Sequence, residues 1–219
     1  MRKESGLILA LDVTPKDEAV KIAEEVSHYF DAIKVNYPLI LSSGIDIIGR
    51  LADLKPVIAD LKVADIPYTS SLISQLAFKA GASGIIAHGF TGSDTISAVM
   101  ESGKPFNGEV YIVSELSSKG GTQFFPAISD KIVEMAIDLG CDGIIAPATR
   151  VERIAHYRKM SEELTIISPG VGAQGGEAEA AIKAGADFII LGRSIYRSAD
   201  PQGAAQDYVN RVKQILKNE

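Results

Sequence analysis

Charges of both signs are crowded into one short stretch of this 219-residue chain. Asp60, Lys62 and Asp65 lie within six residues and directly follow the apolar run 57–59. If that run is a strand, Asp60 and Lys62 leave its carboxyl end on the same side, because side chains alternate along a strand. Coupled ionisable groups of this kind are frequent at catalytic sites. A structural ion network at a strand end is the alternative interpretation.

Two glycine-containing segments in the last quarter of the chain indicate where a phosphate could bind. The first reads Ser168-Pro169-Gly170-Val171-Gly172-Ala173-Gln174-Gly175-Gly176, and the second reads Leu191-Gly192-Arg193-Ser194. Glycines leave backbone N–H groups accessible to a ligand, and an arginine can bind a phosphate through two hydrogen bonds. Turns also require glycine, so neither segment is specific by itself. The two segments follow the last two predicted strands, and the loops at that place in a β/α barrel frequently bind phosphate. Together the segments therefore favour a phosphate-bearing ligand.

The elements that must position these residues are predicted by eight apolar runs, spaced roughly 25 residues apart. The runs are 7–11, 32–35, 57–59, 84–87, 110–113, 143–146, 164–167 and 188–191. Amphipathic stretches separate them, such as 16–30 with apolar residues at helical spacing. Eight such repeats predict an α/β protein, a single-domain (β/α)8 TIM barrel over residues 1–219. An open doubly wound sheet is less favoured because no G-x-G-x-x-G follows the first run.

The active site of a β/α barrel lies at the carboxyl ends of its strands. The predicted ends carry Asp12, Lys34, Asp60 with Lys62, His88, Glu115 with Ser117, and Gly192 with Arg193. His88 could line the site, but it could equally be a hydrogen-bonded core histidine. Glu115 could be a ligand group or could equally be salt-bridged, so neither residue is assigned a role. The polar loop 117–123 could close over a ligand.

Composition excludes several classes of function. The net charge is −6 and no basic block is present, which argues against a nucleic-acid-binding surface. No His or Cys spacing typical of a metal site occurs, so we expect no metal and no cofactor. Cys141 is the only cysteine, which excludes an internal disulfide and favours a cytoplasmic location. The first apolar run is too short for a signal peptide or a membrane span.

The motif Asp60-x-Lys62-x-x-Asp65, with Lys34, the glycine-rich segment and Gly192-Arg193, resembles the orotidine 5′-monophosphate decarboxylases along the whole chain. The compact form is similar to the archaeal and bacterial members. The resemblance implies a lyase that converts orotidine 5′-monophosphate to uridine 5′-monophosphate in pyrimidine biosynthesis, without a metal or cofactor.

The resemblance also implies roles for individual residues. Lys62 would deliver a proton to C6 of the pyrimidine as carbon dioxide leaves, and Asp60 would lie beside the departing carboxylate. Lys34 and Asp12 would hold the ribose hydroxyls and complete the charge array. Asp65 would complete the catalytic set from the neighbouring subunit of a homodimer.

Substrate binding is implied for a larger set of residues. Thr69 would reach the neighbouring site with Asp65, Ser117 would bond the pyrimidine, Gln174 would bridge toward the phosphate, and Arg193 would hold it. The complete implied binding set is Asp12, Lys34, Asp60, Asp65, Ile66, Thr69, Ser117, Pro169, Gly170, Val171, Gly172, Gln174, Gly192 and Arg193.

Two other functions remain open from sequence. The magnesium-dependent 3-keto-L-gulonate 6-phosphate decarboxylases and hexulose-6-phosphate synthases resemble the chain at Asp60, Lys62 and Asp65. They use a glutamate ligand near the end of strand two, where this chain has Lys34, which would repel a cation. The second alternative is a non-catalytic nucleotide-binding barrel, against which the intact charge set argues.

Overall fold

Eight parallel strands close into a barrel in the computed structural model, which describes residues 1–216. Each strand pairs with its neighbours in sequence, and β1 pairs with β8 to close the sheet. The strands are β1 Leu7–Leu11, β2 Ala32–Asn36, β3 Val57–Val63, β4 Gly84–His88, β5 Glu109–Val113, β6 Gly143–Ile145, β7 Thr165–Ser168 and β8 Phe188–Leu191. The predicted barrel is confirmed, and the open sheet is excluded. The end of the predicted domain, 217–219, lies outside the described residues.

Helices surround the barrel, between successive strands and after the last one. They are α1 Lys16–Val26, α2 Tyr37–Ser43, α3 Ile47–Ala52, α4 Pro67–Lys79, α5 Ser93–Gly103, α6 Ser129–Leu139, α7 Val151–Met160, α8 Ala178–Lys183, α9 Arg193–Tyr196 and α10 Pro201–Leu216. None of the helices between residues 1 and 216 is long and apolar enough to cross a membrane.

The core explains why the strands read as continuous apolar runs. All five residues of β1 are buried, since one face packs inside the barrel and the other under the helices. Helix α1 buries Ala19, Ile22, Ala23 and Val26, which recur every three or four residues along one face. The predicted amphipathic stretch 16–30 is therefore helical up to residue 29, with the 3₁₀ segment Ser27–Tyr29 as its last turn.

Aspartates secure the strand starts on the face opposite the predicted site. Asp31 accepts a hydrogen bond from the N–H of Gly6 at 2.8 Å, just before β1. Asp142 and Asp187 repeat this arrangement, accepting from Val110 in β5 at 2.7 Å and from Ile166 in β7 at 2.8 Å. Each aspartate precedes an even-numbered strand and binds the strand before it, so adjacent strands are joined in pairs at this face.

Candidate active site

A cavity of about 200 Å³ opens at the carboxyl ends of the strands. It is lined by residues of β1 to β6 and β8 and by the loops after β1, β5, β7 and β8. Its polar lining consists of Asp12, Lys34, Asn36, Asp60, Lys62, Glu115, Ser117, Gln174, Arg193 and Tyr196. Apart from His88, the polar residues predicted at the strand ends therefore meet in one place.

The carboxylate of Asp60 lies between two ammonium groups. Its Oδ2 is 2.9 Å from Nζ of Lys34, and its Oδ1 accepts a hydrogen bond from Nζ of Lys62 at 2.7 Å. Nζ of Lys34 also lies 3.8 Å from Oδ1 of Asp12. The side chains of Asp60 and Lys34 are almost fully buried, whereas that of Lys62 is 32% exposed toward the cavity. Asp60 and Lys34 thus form a buried ion pair that holds the more accessible Lys62.

Mutual attraction keeps this buried pair ionised. Burial opposes charge on Asp60, but the positive charges of Lys34 and Lys62 outweigh it and hold the pKa of Asp60 below its ordinary value. Burial also opposes charge on Lys34, but Asp60 and Asp12 outweigh it and raise the pKa of that lysine. At neutral pH the cavity floor therefore carries an ammonium and a carboxylate in contact.

A bulge at the end of β3 brings Asp60 and Lys62 together. Ala59 pairs with Ile85 and Val63 pairs with Ala87, so four residue steps along β3 correspond to two along β4. Lys62 has a φ of 42°, in the left-handed region that non-glycine residues rarely adopt. Simple alternation along a regular strand predicts that both side chains lie on one side; they are in contact here, but the strand is irregular. The side chains approach because the strand is distorted.

The glycine-rich segment folds into a compact loop after β7. Gly170 and Gly172 have φ values of 101° and 70°, which only glycine adopts readily. The N–H of Gly176 donates to the carbonyl of Gly170 at 3.0 Å, which closes the loop. A Cβ at position 176 would lie 2.8 Å from that carbonyl, so the turn requires glycine there as well.

Helix α9 begins at Arg193, directly after Gly192 at the end of β8, and lies beside this loop. The hydroxyl of Ser194 is buried and has no hydrogen-bond partner in the part of the chain that the structure describes. A Cβ on Gly172 would lie 3.7 Å from this hydroxyl, so Ser194 faces the loop. An arginine, an unpaired hydroxyl and loop N–H groups together suit an anion.

Most of the predicted site residues border this cavity. They are Asp12, Lys34, Asp60, Lys62, Ser117, Pro169, Gly170, Val171, Gln174, Gly192 and Arg193. Gly172 belongs to the same loop but does not line the cavity. Asp65, Ile66 and Thr69 lie outside it, at the start of α4, where Asp65 and Ile66 are exposed. Their predicted place in a neighbouring subunit's site stays a prediction.

Sequence reasoning missed Asn36 and Tyr196, which also line the cavity. Asn36 follows Lys34 by two positions on β2, and this spacing could have identified it. Glu115 borders the cavity too, but it is 1% exposed and its carboxylate contacts Arg150 and Arg153. Of the two interpretations left open for Glu115, the salt-bridged one is correct.

Comparisons with known proteins agree with the motifs. A family model described as "Orotidine 5'-phosphate decarboxylase / HUMPS family" matches residues 5–208. An orotidine 5′-phosphate decarboxylase of Methanococcoides burtonii is 53% identical over 207 residues, covering 94% of this chain and 96% of that protein. One of Thermococcus kodakarensis is 49% identical over 217 residues, covering 98% of this chain and 100% of that protein.

Solved structures give the same result. The orotidine 5′-monophosphate decarboxylase of Methanocaldococcus jannaschii, complexed with the inhibitor BMP, superposes with a TM-score of 0.90 at 46% identity. The match covers 97% of this chain and 99% of that one. The resemblance indicated by the motifs is confirmed. The chain belongs to the orotidine 5′-phosphate decarboxylase / HUMPS family.

Proposed function

We propose that the chain decarboxylates orotidine 5′-monophosphate to uridine 5′-monophosphate, with Lys62 as the proton donor. The bond between C6 and the carboxylate breaks, carbon dioxide leaves, and the electron pair stays on C6. Nζ of Lys62 then gives a proton to C6 and regains one from solvent. The observation that carries the proposal is the Lys62 ammonium, 2.7 Å from Asp60 Oδ1 and lining the cavity.

The electrostatics of the cavity suit this step. A carbanion at C6 has no adjacent carbonyl or cofactor over which to delocalise, so a cation must already be in place beside it. Asp60 holds that cation by accepting its hydrogen bond, and Lys34 holds Asp60 from the other side. Because the pair is preorganised, little reorganisation is needed as charge develops in the transition state.

The loops after β7 and β8 would bind the phosphate of the nucleotide. Arg193, Gln174 and the backbone of the glycine-rich loop line the end of the cavity away from β3 and β4. Binding energy from this remote group can help to hold the reacting centre against Asp60 and Lys62. The cavity thus has a charged reacting end and a separate phosphate end, which supports a nucleoside monophosphate as the substrate.

A homodimer is part of the proposal. Asp65 and Thr69 lie at the start of α4, outside their own cavity, where a second copy could receive them. The same helix exposes Tyr68 and Leu76 at 72% and 58%. Exposed apolar groups of this size on one helix suit a surface covered by another subunit.

The magnesium-dependent alternative fits the site less well. It requires a carboxylate ligand near the end of strand two, where Lys34 places an ammonium 2.9 Å from Asp60. That ammonium already neutralises the carboxylate and would repel a divalent cation. Full activity of protein treated with a chelator would support the metal-free reaction, and loss of activity would favour the alternative.

Replacement of Lys62 by alanine tests the proposal directly. Metal-stripped protein is mixed with orotidine 5′-monophosphate, and the loss of its ultraviolet absorbance is followed. We expect Lys62→Ala to abolish turnover while uridine 5′-monophosphate still binds, because the phosphate end is untouched. Lys159→Ala, which removes an exposed lysine of α7, is the control and should match the parent protein. Turnover by Lys62→Ala within roughly tenfold of the parent would rule out the proton-donor role.

A further inference from the structure

The bulge in β3 leaves one peptide group to be held by something other than the sheet. Residues 60–62 have no partner residue in β4, and β2 ends opposite Asp60, where Asn36 is its last pair. The peptide between Leu61 and Lys62 lies at this point. The left-handed φ of Lys62 is the rotation about its N–Cα bond, which directly follows this peptide. The orientation of the peptide therefore determines the direction in which the Lys62 side chain leaves the backbone.

A side chain from α2 binds this peptide. The hydroxyl of Tyr37 donates a hydrogen bond to the carbonyl of Leu61. Tyr37 is the first residue of α2, and its own N–H donates to the Asn36 side chain at 2.6 Å. The ring is 45% exposed, so packing of the core does not require it.

We propose that Tyr37 is a positioning residue for Lys62: its hydroxyl fixes the Leu61 carbonyl and so maintains the left-handed bulge from which the Lys62 ammonium reaches Asp60 and the cavity. The inference rests on the proposed function, in which Lys62 is the proton donor. Tyr37 does not line the cavity, so its effect would reach the reaction only through the backbone of β3.

The chemistry of the tyrosine suits this role. Burial of part of the side chain and the negative charge of Asp60 both raise the pKa of Tyr37 above its ordinary value. The hydroxyl therefore keeps its proton throughout the neutral range, and it can donate a hydrogen bond to the Leu61 carbonyl. A residue other than glycine is strained in the left-handed region, and it persists there only where its surroundings hold it.

Replacement of Tyr37 by phenylalanine removes the hydroxyl alone. We expect kcat to fall about tenfold or more, while KM for orotidine 5′-monophosphate changes less than about twofold. The exchange of the C6 hydrogen of uridine 5′-monophosphate in deuterium oxide, measured by NMR, should slow in parallel, since it uses the same proton of Lys62 in reverse. Tyr29→Phe, on the opposite face of the barrel, is the matched control and should leave both rates unchanged.

The possible outcomes separate this inference from the proposed function. An inactive parent protein, or an active Lys62→Ala variant, would refute the proposed function itself. With those results as expected, a Tyr37→Phe variant with the parent kcat would refute the positioning role. A variant that loses kcat together with nucleotide binding and stability to urea would also refute it, because the hydroxyl would then serve the fold in general. A loss of kcat and of exchange, with KM and stability preserved, would support it.

Discussion

His88 is a titratable residue beside the charge cluster that the proposed reaction does not use. It ends β4, and its ring packs against Phe90 and Phe125 at centroid distances of 4.7 and 6.1 Å. Its Nδ1 is buried without a hydrogen-bond partner among residues 1–216. Burial and the nearby positive charge of Lys62 lower the pKa of His88 to about 4. The ring is therefore neutral when the enzyme works, and it adds no charge to the cavity.

This depressed pKa predicts a pH dependence of stability. Between its ordinary pKa of 6.5 and about 4, His88 binds a proton in the unfolded chain but not in the folded one. The free energy of unfolding should therefore decrease as the pH falls through this window. His88→Asn should make the decrease shallower, as measured by urea denaturation at several pH values. The lowered pKa of Asp60 acts at more acidic pH, below 3.8, so the two effects are separable. Equal slopes for both proteins would contradict the prediction.

At the level of the elements, one buried carboxylate joins the end of β5 to two helices. Oε1 of Glu115 lies 2.6 Å from Nε of Arg153, and its Oε2 lies 3.1 Å from Nε of Arg150. Tyr157 of α7 also donates to Glu115, and Arg153 contacts Asp130 of α6. The network fixes the start of the long loop after β5, because the Arg150 guanidinium also donates to the Leu116 carbonyl.

Removal of this carboxylate should be costly. Glu115→Ala leaves the partly buried Arg150 without its counter-charge and leaves Arg153 with Asp130 alone. We therefore expect the free energy of unfolding to decrease by about 3–5 kcal/mol. Glu101→Ala is the matched control, because Glu101 forms an exposed pair with Lys104, which should contribute less than about 1 kcal/mol. Urea denaturation of the three proteins measures both effects. Equal stability of the two variants would show that the network contributes no more than a surface pair.

The sequence predicts the elements well where local pattern determines them. The bounds of β1 and β8 agree with the apolar runs 7–11 and 188–191, because both faces of these strands are buried. Strand β3 extends to Val63, four residues beyond its predicted end, because its last residues are polar and distorted. A pattern of apolar residues cannot detect such an extension.

The site is predictable to a similar degree. Residue types at the strand ends identify most of the polar lining of the cavity, since a barrel brings those ends together whatever the loops do. The bulge at Lys62 depends on pairing with β2 and β4, and the role of Glu115 depends on arginines 35 or more residues away. Contacts between distant segments of this kind have no local signature. Family resemblance supplied the remaining roles.

On the scale of the whole molecule, one exposed apolar surface stands out. It comprises Ile66, Tyr68, Leu72 and Leu76, at or near α4, with exposed fractions between 43% and 72%. Tyr68, Leu72 and Leu76 recur every four residues, so they share one face of the helix. The surface adjoins Asp65 and Thr69, the residues proposed to serve the neighbouring site. If this surface is the dimer interface, subunit association and completion of the active site are the same event.

Hybrid dimers test whether two subunits share a site. Lys62→Ala and Asp65→Ala should each be nearly inactive alone, because every site of either homodimer lacks one group. In a hybrid, one site has Lys62 from one subunit and Asp65 from the other, whereas the second site lacks both. Since random association of equal amounts makes half of the dimers hybrids, subunits refolded together should regain about one quarter of the parent activity. Purification through two different affinity tags would show that hybrids form. Hybrids without activity would mean that Asp65 acts within its own subunit, and an active Asp65→Ala homodimer would mean that Asp65 is not needed. In either case the exposed start of α4 would need another explanation.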